Sequence, residues 1–425
     1  MAEKTDPPLI LGHNLWGTLT HHCGSNLHHH DVADGLNMKS FAFDLSHAPE
    51  CSLQNSFVCC RIYMDYNATT PVDPEVVRVI TDALTDAWGN PSSNYLPGLK
   101  ARDIIYHSRD TIARMVGGKA EDIIFTSGGT EANNLVFHTA VEHFRKSKTS
   151  AQGDTNSKQL NGRGSLPHII ISSVEHDPIK LTAKHLLKEG KAGQQAYVTA
   201  RVEVEDVIAA ICPTTCLVSI MLANNETGII MPIKDICQRV REVNKQRAAS
   251  APRILLHTDA AQKIRDGNPV DGMFQFYGPR IGALFVNDPG TTTPVYPLFF
   301  GGGQERNFRP GYDMVYCMVG FCMDDELLNR IKTSMLLILK SILLLSLYFS
   351  ELRTHTWKIL NVFCGNLVMC SHFLRPSHIL LSCGIPYHVA TNALRISVGR
   401  CTSREDVDIV VEDLRDTVEQ LERMN

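Results

Sequence analysis

The run Phe125-Thr-Ser-Gly-Gly-Thr-Glu-Ala-Asn-Asn134 joins an apolar strand end to a Gly-containing turn and the opening of a helix. Free backbone N–H groups and the positive end of the helix dipole meet at such a junction, which suits a phosphate. No Gly-Lys-Ser/Thr follows, so this is not a Walker loop. An ordinary tight turn is the competing reading. Further strand ends carry polar residues that a buried sheet otherwise avoids: Glu175-His176, Asn224-Asn225-Glu226, and Asp259 with Gln262. In open α/β sheets ligands bind outside the carboxyl ends of strands, where these residues can converge. Taken singly, each also fits a helix cap or a satisfied polar group.

Together the four positions have a chemical sense. A ring with a phosphate arm, a basic ring nitrogen and a phenolic oxygen needs an anion cradle, a carboxylate, a hydrogen-bond donor and a flat group to stack on. Thr130, Asp259, Asn225 or Gln262, and His176 supply these in that order. This is how a protein tunes pyridoxal phosphate as an electron sink.

The elements that must position these residues are strands alternating with amphipathic helices, from Arg61 onward. Strands are expected at Ile123–Thr126, His168–Ser172, Leu217–Ala223, Ile254–Thr258 and Ile281–Val286, and helices at Thr130–Lys146, Pro178–Glu189 and Pro232–Ala249. That alternation implies crossover connections and an α/β fold with a mainly parallel sheet. Near the end, Ala393–Val398 reads as a strand. Ser403 then precedes Val407, Val410, Val411, Leu414, Val418 and Leu421 on one helix face, with Asp406 placed for a capping box. The C-terminal part is therefore expected to be a smaller α+β domain. Residues 1–61 have no clear period, and three consecutive histidines, His28 to His30, cannot all face one ion, so a solvated arm is expected and no metal. Residues 150–165 read as a surface loop. The apolar run Met335–Phe349 spans about fifteen residues with a lysine inside, short of the roughly twenty that cross a bilayer. It reads as a buried or aggregation-prone segment.

Composition narrows the function classes. The chain has 425 residues, 41 Lys plus Arg against 45 Asp plus Glu, and a net charge of −4. A prior of about 150 residues per domain gives two to three domains. The charge balance argues against nucleic acid as a partner and against a disordered chain. Thirteen scattered cysteines fit a reducing compartment rather than a disulfide framework. The first sixty residues show neither a secretory core nor an Arg-rich amphipathic helix, so a cytoplasmic location is expected.

Read in order, Tyr63–Pro71, Gly89–Ser93, Phe125–Asn134, Ser173–His176, Ala223–Gly228, His257–Gln262, Phe276–Leu284, Gly301–Gly311 and Leu394–Arg400 resemble the motifs of one family. It is the fold-type-I, pyridoxal-phosphate-dependent cysteine desulfurase and selenocysteine lyase family. The resemblance covers Arg61 to Gly311 and Arg375 to the end. It implies a transferase-like α/β fold, with a large cofactor-binding domain at 62–311 and a small-domain remnant at 375–425. It also implies a homodimer, pyridoxal 5′-phosphate as cofactor, and selenocysteine or cysteine as substrate, selenocysteine being converted to alanine plus selenide. By the same resemblance Thr130 and the Gly129 backbone hold the cofactor phosphate, His176 stacks on the ring, and Asp259 pairs with the ring nitrogen. Asn225 and Gln262 bond the phenolic oxygen, and Arg395 binds the substrate carboxylate. A guanidinium fork grips a carboxylate in two places; a rim salt bridge is the alternative for Arg395.

The chain departs from the family pattern at the chemistry itself. Where the family has a His-Lys pair, its lysine forming the Schiff base, this sequence has Phe274-Gln275. The stretch between Gln262 and Phe276 is short, so the strand that delivers position 275 is expected to be partly missing. Lys263 is the nearest lysine. Tyr312 replaces a threonine that reaches the partner subunit's phosphate, and residues 312–374 match nothing. That leaves Cys370 as the candidate thiol, while Cys383 reads as a packed structural cysteine. These departures predict a lyase-like chain of low or no activity. The alternatives are a non-catalytic cofactor-binding, dimerising relative, or a splicing or gene-model variant that does not fold natively.

Overall fold

The apolar runs in the middle of the chain leave neither face polar enough for water, which is the pattern of strands covered by helices on both sides. The computed structural model describes residues 62–151, 166–248, 251–261, 272–275, 281–311, 367–368, 370–371, 376–390, 393–399 and 401–424. Expectations placed on His28 to His30, residues 152–165, Gln262, Lys263, Tyr312 and Met335–Phe349 lie outside them.

Strand β1 (Ile62–Tyr63) is followed by helices α1 (Pro74–Asp86) and α2 (Leu96–Val116). Asp73 caps α1 by accepting from the Glu75 N–H, with Pro74 at the first helical position. Gly117, at φ 77°, ends α2 in the left-handed conformation that a side chain disfavours. Then come β2 (Ile123–Thr126), α3 (Gly129–Ala151), β3 (His168–Ser172), α4 (Asp177–Lys188), β4 (Gln194–Val198), α5 (Val204–Ala209), β5 (Thr215–Ser219), α6 (Ile233–Gln246), β6 (Leu255–Asp259), β7 (Gly272–Gln275) and β8 (Gly282–Phe285). Helix α3 runs to Ala151, into the stretch expected to be loop.

These strands form a seven-stranded sheet in the order β2-β8-β7-β6-β5-β3-β4. The pairs β4–β3, β3–β5, β5–β6 and β6–β7 are parallel, and β8 runs antiparallel to both β7 and β2. The carboxyl ends of β2, β3, β5, β6 and β7 therefore share one edge. Side-chain alternation divides the core: Ile170 and Val218 pack with Phe125 on one face, and Ile169, Ile171 and Leu217 pack with Phe137 and Phe144 of α3 on the other. Each such fully buried side chain stabilises the fold by about 1.5–3 kcal/mol relative to exposure.

Several boundaries shift from expectation, and two of the differences bear on the site. Strand β5 stops at Ser219, but Ile220 and Leu222 still donate to the His257 and Asp259 carbonyls, so the chain follows β6 to the site. The expectation that the strand carrying position 275 is partly missing is corrected. Strand β7 is a full member of the sheet, held by parallel pairing to Thr258 and Asp259 and by four antiparallel pairs to β8.

In the C-terminal part, β9 (Leu367–Val368) pairs with β1, and β10 (Cys370–Ser371) pairs with β11 (Leu394–Arg395), after helices α7 (His378–Ser382) and α8 (Tyr387–Ala390). The last helix, α9 (Arg404–Met424), opens on the expected capping box. The Ser403 N–H donates to Asp406 Oδ2 at 2.8 Å and the Asp406 N–H donates to Ser403 Oγ at 3.0 Å.

Candidate active site

A cavity of about 380 Å³ opens at the shared carboxyl edge of the sheet, and Gly129, Thr130, His176, Asn225 and Asp259 all line it. The cradle begins where β2 ends. At the turn into α3, Thr130 is exposed to the cavity while Ala132 is buried behind it. Strand β8 passes beneath: a Cβ on Gly282 would lie 2.8 Å from Gly128 Cα and 3.0 Å from Thr126 Oγ1. Only glycine fits there.

Glu131 braces the turn. Its Oε2 accepts from the Ser127 N–H at 3.0 Å and the Ser127 hydroxyl at 2.6 Å, and Arg309 grips it through Nε at 2.7 Å and Nη2 at 3.2 Å. Burial pushes the Glu131 carboxyl up, but the bonds from Arg309 and Ser127 outweigh it and hold its pKa below the usual carboxylate value. Arg309 arrives from a turn in which Glu305, Arg306 and Asn307 have φ of 45°, 55° and 67°. Such backbone persists only where its surroundings over-determine it. Here the buried Glu305 carboxylate accepts from Arg109 and from the Phe125 N–H.

Asp259 ends β6 and is 6% exposed. Its Oδ1 accepts from the Ala261 N–H and its Oδ2 from Asn133 Nδ2, each at 3.1 Å. Burial is the main cause of its raised pKa, opposed by those two bonds and by His176. A carboxylate desolvated in this way is complemented by a cation, such as a protonated ring nitrogen. Asn133 is a contributor that sequence reasoning missed; its signal is a buried amide between Ala132 and Leu135 on an otherwise apolar helix face. His176 stands at the residue before α4, four positions past the end of β3, and its side chain makes no capping hydrogen bond to the helix. Asn225 accepts from Asn67 Nδ2 at 2.8 Å through its backbone carbonyl. Three buried amide oxygens on cavity residues, on Asn67, Asn133 and Asn225, have no hydrogen-bond partner. Buried polar atoms are rarely left so, and as acceptors these oxygens would be satisfied by a donor such as water. With the Gly129–Thr130 helix start for an anion and the buried Asp259 carboxylate for a protonated ring nitrogen, the lining fits a phosphate-bearing pyridine.

Glu175, beside His176, is fully buried. Its Oε1 accepts from the Ser172 hydroxyl at 2.6 Å and the Met221 N–H at 2.9 Å, tying the end of β3 to the chain leaving β5. Burial pushes its pKa up to about 8.

The remaining positions lie around the cavity. Gln275 pairs in register with Gly282, which pairs with Thr126, so position 275 sits in the same cross-sheet row as the start of the cradle. Arg395 is absent from the lining and makes an ion pair with Asp65. Cys370 is the register partner of Arg395. Cys383 packs against the core, half-buried, and burial raises its pKa. Among the described residues no cluster of three or more His, Cys, Asp or Glu is placed to hold a metal, and no helix is long and apolar enough to cross a membrane.

The class-V aminotransferase family profile matches residues 62–271. Selenocysteine lyase of Rattus norvegicus is 44% identical over 412 residues, covering 85% of this chain and 95% of that protein. The Homo sapiens selenocysteine lyase is 43% identical over 413 residues, covering 85% and 93%. Among solved structures, a NifS-like protein superposes with a TM-score of 0.67 at 28% identity, covering 85% of this chain and 99% of its own. Matched over nearly the full length of these relatives, the chain belongs to the selenocysteine lyase family within the pyridoxal-phosphate-dependent class-V aminotransferases.

Proposed function

We propose that this chain holds pyridoxal 5′-phosphate in the cavity without covalent attachment and is a selenocysteine lyase-like protein with low or no turnover. The observation that carries this reading is the convergence of Thr130, His176, Asn225 and buried Asp259 on one cavity, with glutamine at position 275. When bound, the cofactor supplies an electron sink for charge at the amino-acid Cα. The Gly129 N–H and the Thr130 hydroxyl bind the phosphate, and His176 covers the ring face. Asp259, steadied by Asn133, receives the ring N–H, and Asn225 with Gln262 donates to the phenolic oxygen. Arg395 takes the carboxylate of selenocysteine or cysteine. In this reading residues 62–311 hold the cofactor and 375–425 carry the carboxylate clamp.

The lyase reaction also needs a base that moves a proton at Cα and a thiol that meets the departing chalcogen. The amide of Gln275 is neither basic nor nucleophilic. Cys370 remains the thiol candidate, supported by its register opposite Arg395. The place of β7 in the sheet favours a folded chain over a misfolded splice product. A cytoplasmic homodimer, as the family resemblance implies, completes the reading.

The test is to saturate the purified chain with pyridoxal phosphate, reduce with borohydride, and map the peptides. The expected result is cofactor that elutes on denaturation, none fixed to the peptide spanning 275, and no selenide released from selenocysteine. Cofactor fixed to a lysine together with selenide release would overturn it.

A further inference from the structure

Asp65 and Arg395 are 330 positions apart in the chain, yet they form an ion pair whose side chains are 11% and 13% exposed. The contact is one-sided. Asp65 Oδ1 accepts from Arg395 Nη2 at 2.9 Å and from Nε at 3.3 Å, so a single carboxylate oxygen takes the Nε edge of the guanidinium. The opposite edge, Nη1 with the outer hydrogen of Nη2, keeps the forked geometry that grips a second carboxylate in two places.

The backbone around the pair is pinned at several points. The Ser397 N–H donates to the Met64 carbonyl at 2.7 Å, the Asn67 N–H donates to Ser397 Oγ at 2.9 Å, and the Tyr63 hydroxyl donates to the Asp65 carbonyl at 2.8 Å. Asn67 then donates from Nδ2 to the Asn225 carbonyl, and Asn67 and Asn225 both line the cavity. Residues 63–67 are thus a strap running from the arginine to the cavity wall.

We propose that Asp65 is the positioning residue for Arg395: it fixes the guanidinium by its Nε edge so that the free edge meets the α-carboxylate of an amino-acid ligand. This rests on the proposed function in taking Arg395 as the carboxylate clamp. A lone arginine side chain loses several rotatable bonds on binding; one already held by a buried partner loses fewer, and the saving appears as affinity for the carboxylate alone.

The test uses two probes on the full chain, titrated calorimetrically. N-(5′-phosphopyridoxyl)-L-alanine carries the carboxylate, and pyridoxamine 5′-phosphate lacks it. Asp65→Asn is expected to weaken the first roughly tenfold while changing the second by less than about twofold. In an Arg395→Gln background, Asp65→Asn is expected to cost nothing further for the first probe. Equal weakening of both probes would show a merely structural role, tighter binding of the first would make Asp65 a competitor, and additive losses would uncouple it from Arg395; each overturns the proposal. If Asp65→Asn does not fold, Asp65→Glu keeps the charge but displaces the guanidinium, and the same probe-selective loss is expected. A parent chain that binds neither probe overturns the proposed function itself, and this inference with it.

Discussion

Replacing Glu175 by glutamine is expected to make the protein's stability less dependent on pH. The folded acid keeps its proton up to about 8, against an ordinary value of 4.5, because it is fully buried. Between these values the unfolded chain ionises while the folded one does not. The stability this group contributes is therefore complete below 4.5 and is lost as the pH rises through about 8. Each pH unit in that window costs about 1.4 kcal/mol, or roughly 2–3 kcal/mol between pH 5 and pH 7. Glutamine stays neutral, and its carbonyl can accept from the Ser172 hydroxyl and the Met221 N–H as Oε1 does now. The other oxygen, Oε2, has no partner to lose. His257, pushed down to about 3 by burial, acts in the opposite sense as the pH falls, but it is common to both proteins and cancels. Urea unfolding of parent and Glu175→Gln at both pH values isolates the effect. The variant should gain about 2–3 kcal/mol on the parent from pH 5 to pH 7. A difference that does not change with pH would refute the buried, protonated acid.

Other outcomes follow from the same geometry. Asp259→Asn should weaken pyridoxal phosphate about 10–100-fold, by loss of a charge-assisted bond to the ring nitrogen, while leaving the cofactor-free chain at least as stable as the parent, since burial already disfavours the Asp259 charge; titration and thermal unfolding check the two halves. Gln275→Lys should let borohydride fix the cofactor to the 275 peptide, since the register already places that position beside the cradle, yet should release no selenide, because Phe274 precedes it and no family thiol loop follows. Ser403→Ala should cost about 1 kcal/mol of stability by removing the α9 cap, read by chemical unfolding.

Strands β2 and β3 have the bounds read from the sequence, because Ile123–Thr126 and His168–Ser172 are short apolar runs between turn residues. The convergence of Thr130, His176, Asn225 and Asp259 was equally legible, since it follows from where polar residues fall at the ends of parallel strands. Strand β7 was not. Gly-Met-Phe-Gln has no β-branched residue, and its strand state comes from the pairing of both edges with β6 and β8. Asn133 was hidden inside a helix whose propensity says nothing about its partner. The Asp65–Arg395 pair was out of reach for another reason: local pattern does not specify which residues meet across 330 positions.

The central claim is that the cavity binds pyridoxal phosphate through non-covalent contacts alone. Equilibrium dialysis of the chain against the cofactor, followed by absorbance of the bound fraction with and without borohydride and denaturation, tests it most directly. The account predicts a stoichiometric bound fraction with the spectrum of the free aldehyde, fully released on denaturation after reduction. A bound fraction that stays on the polypeptide after reduction, or no binding at all, would contradict it.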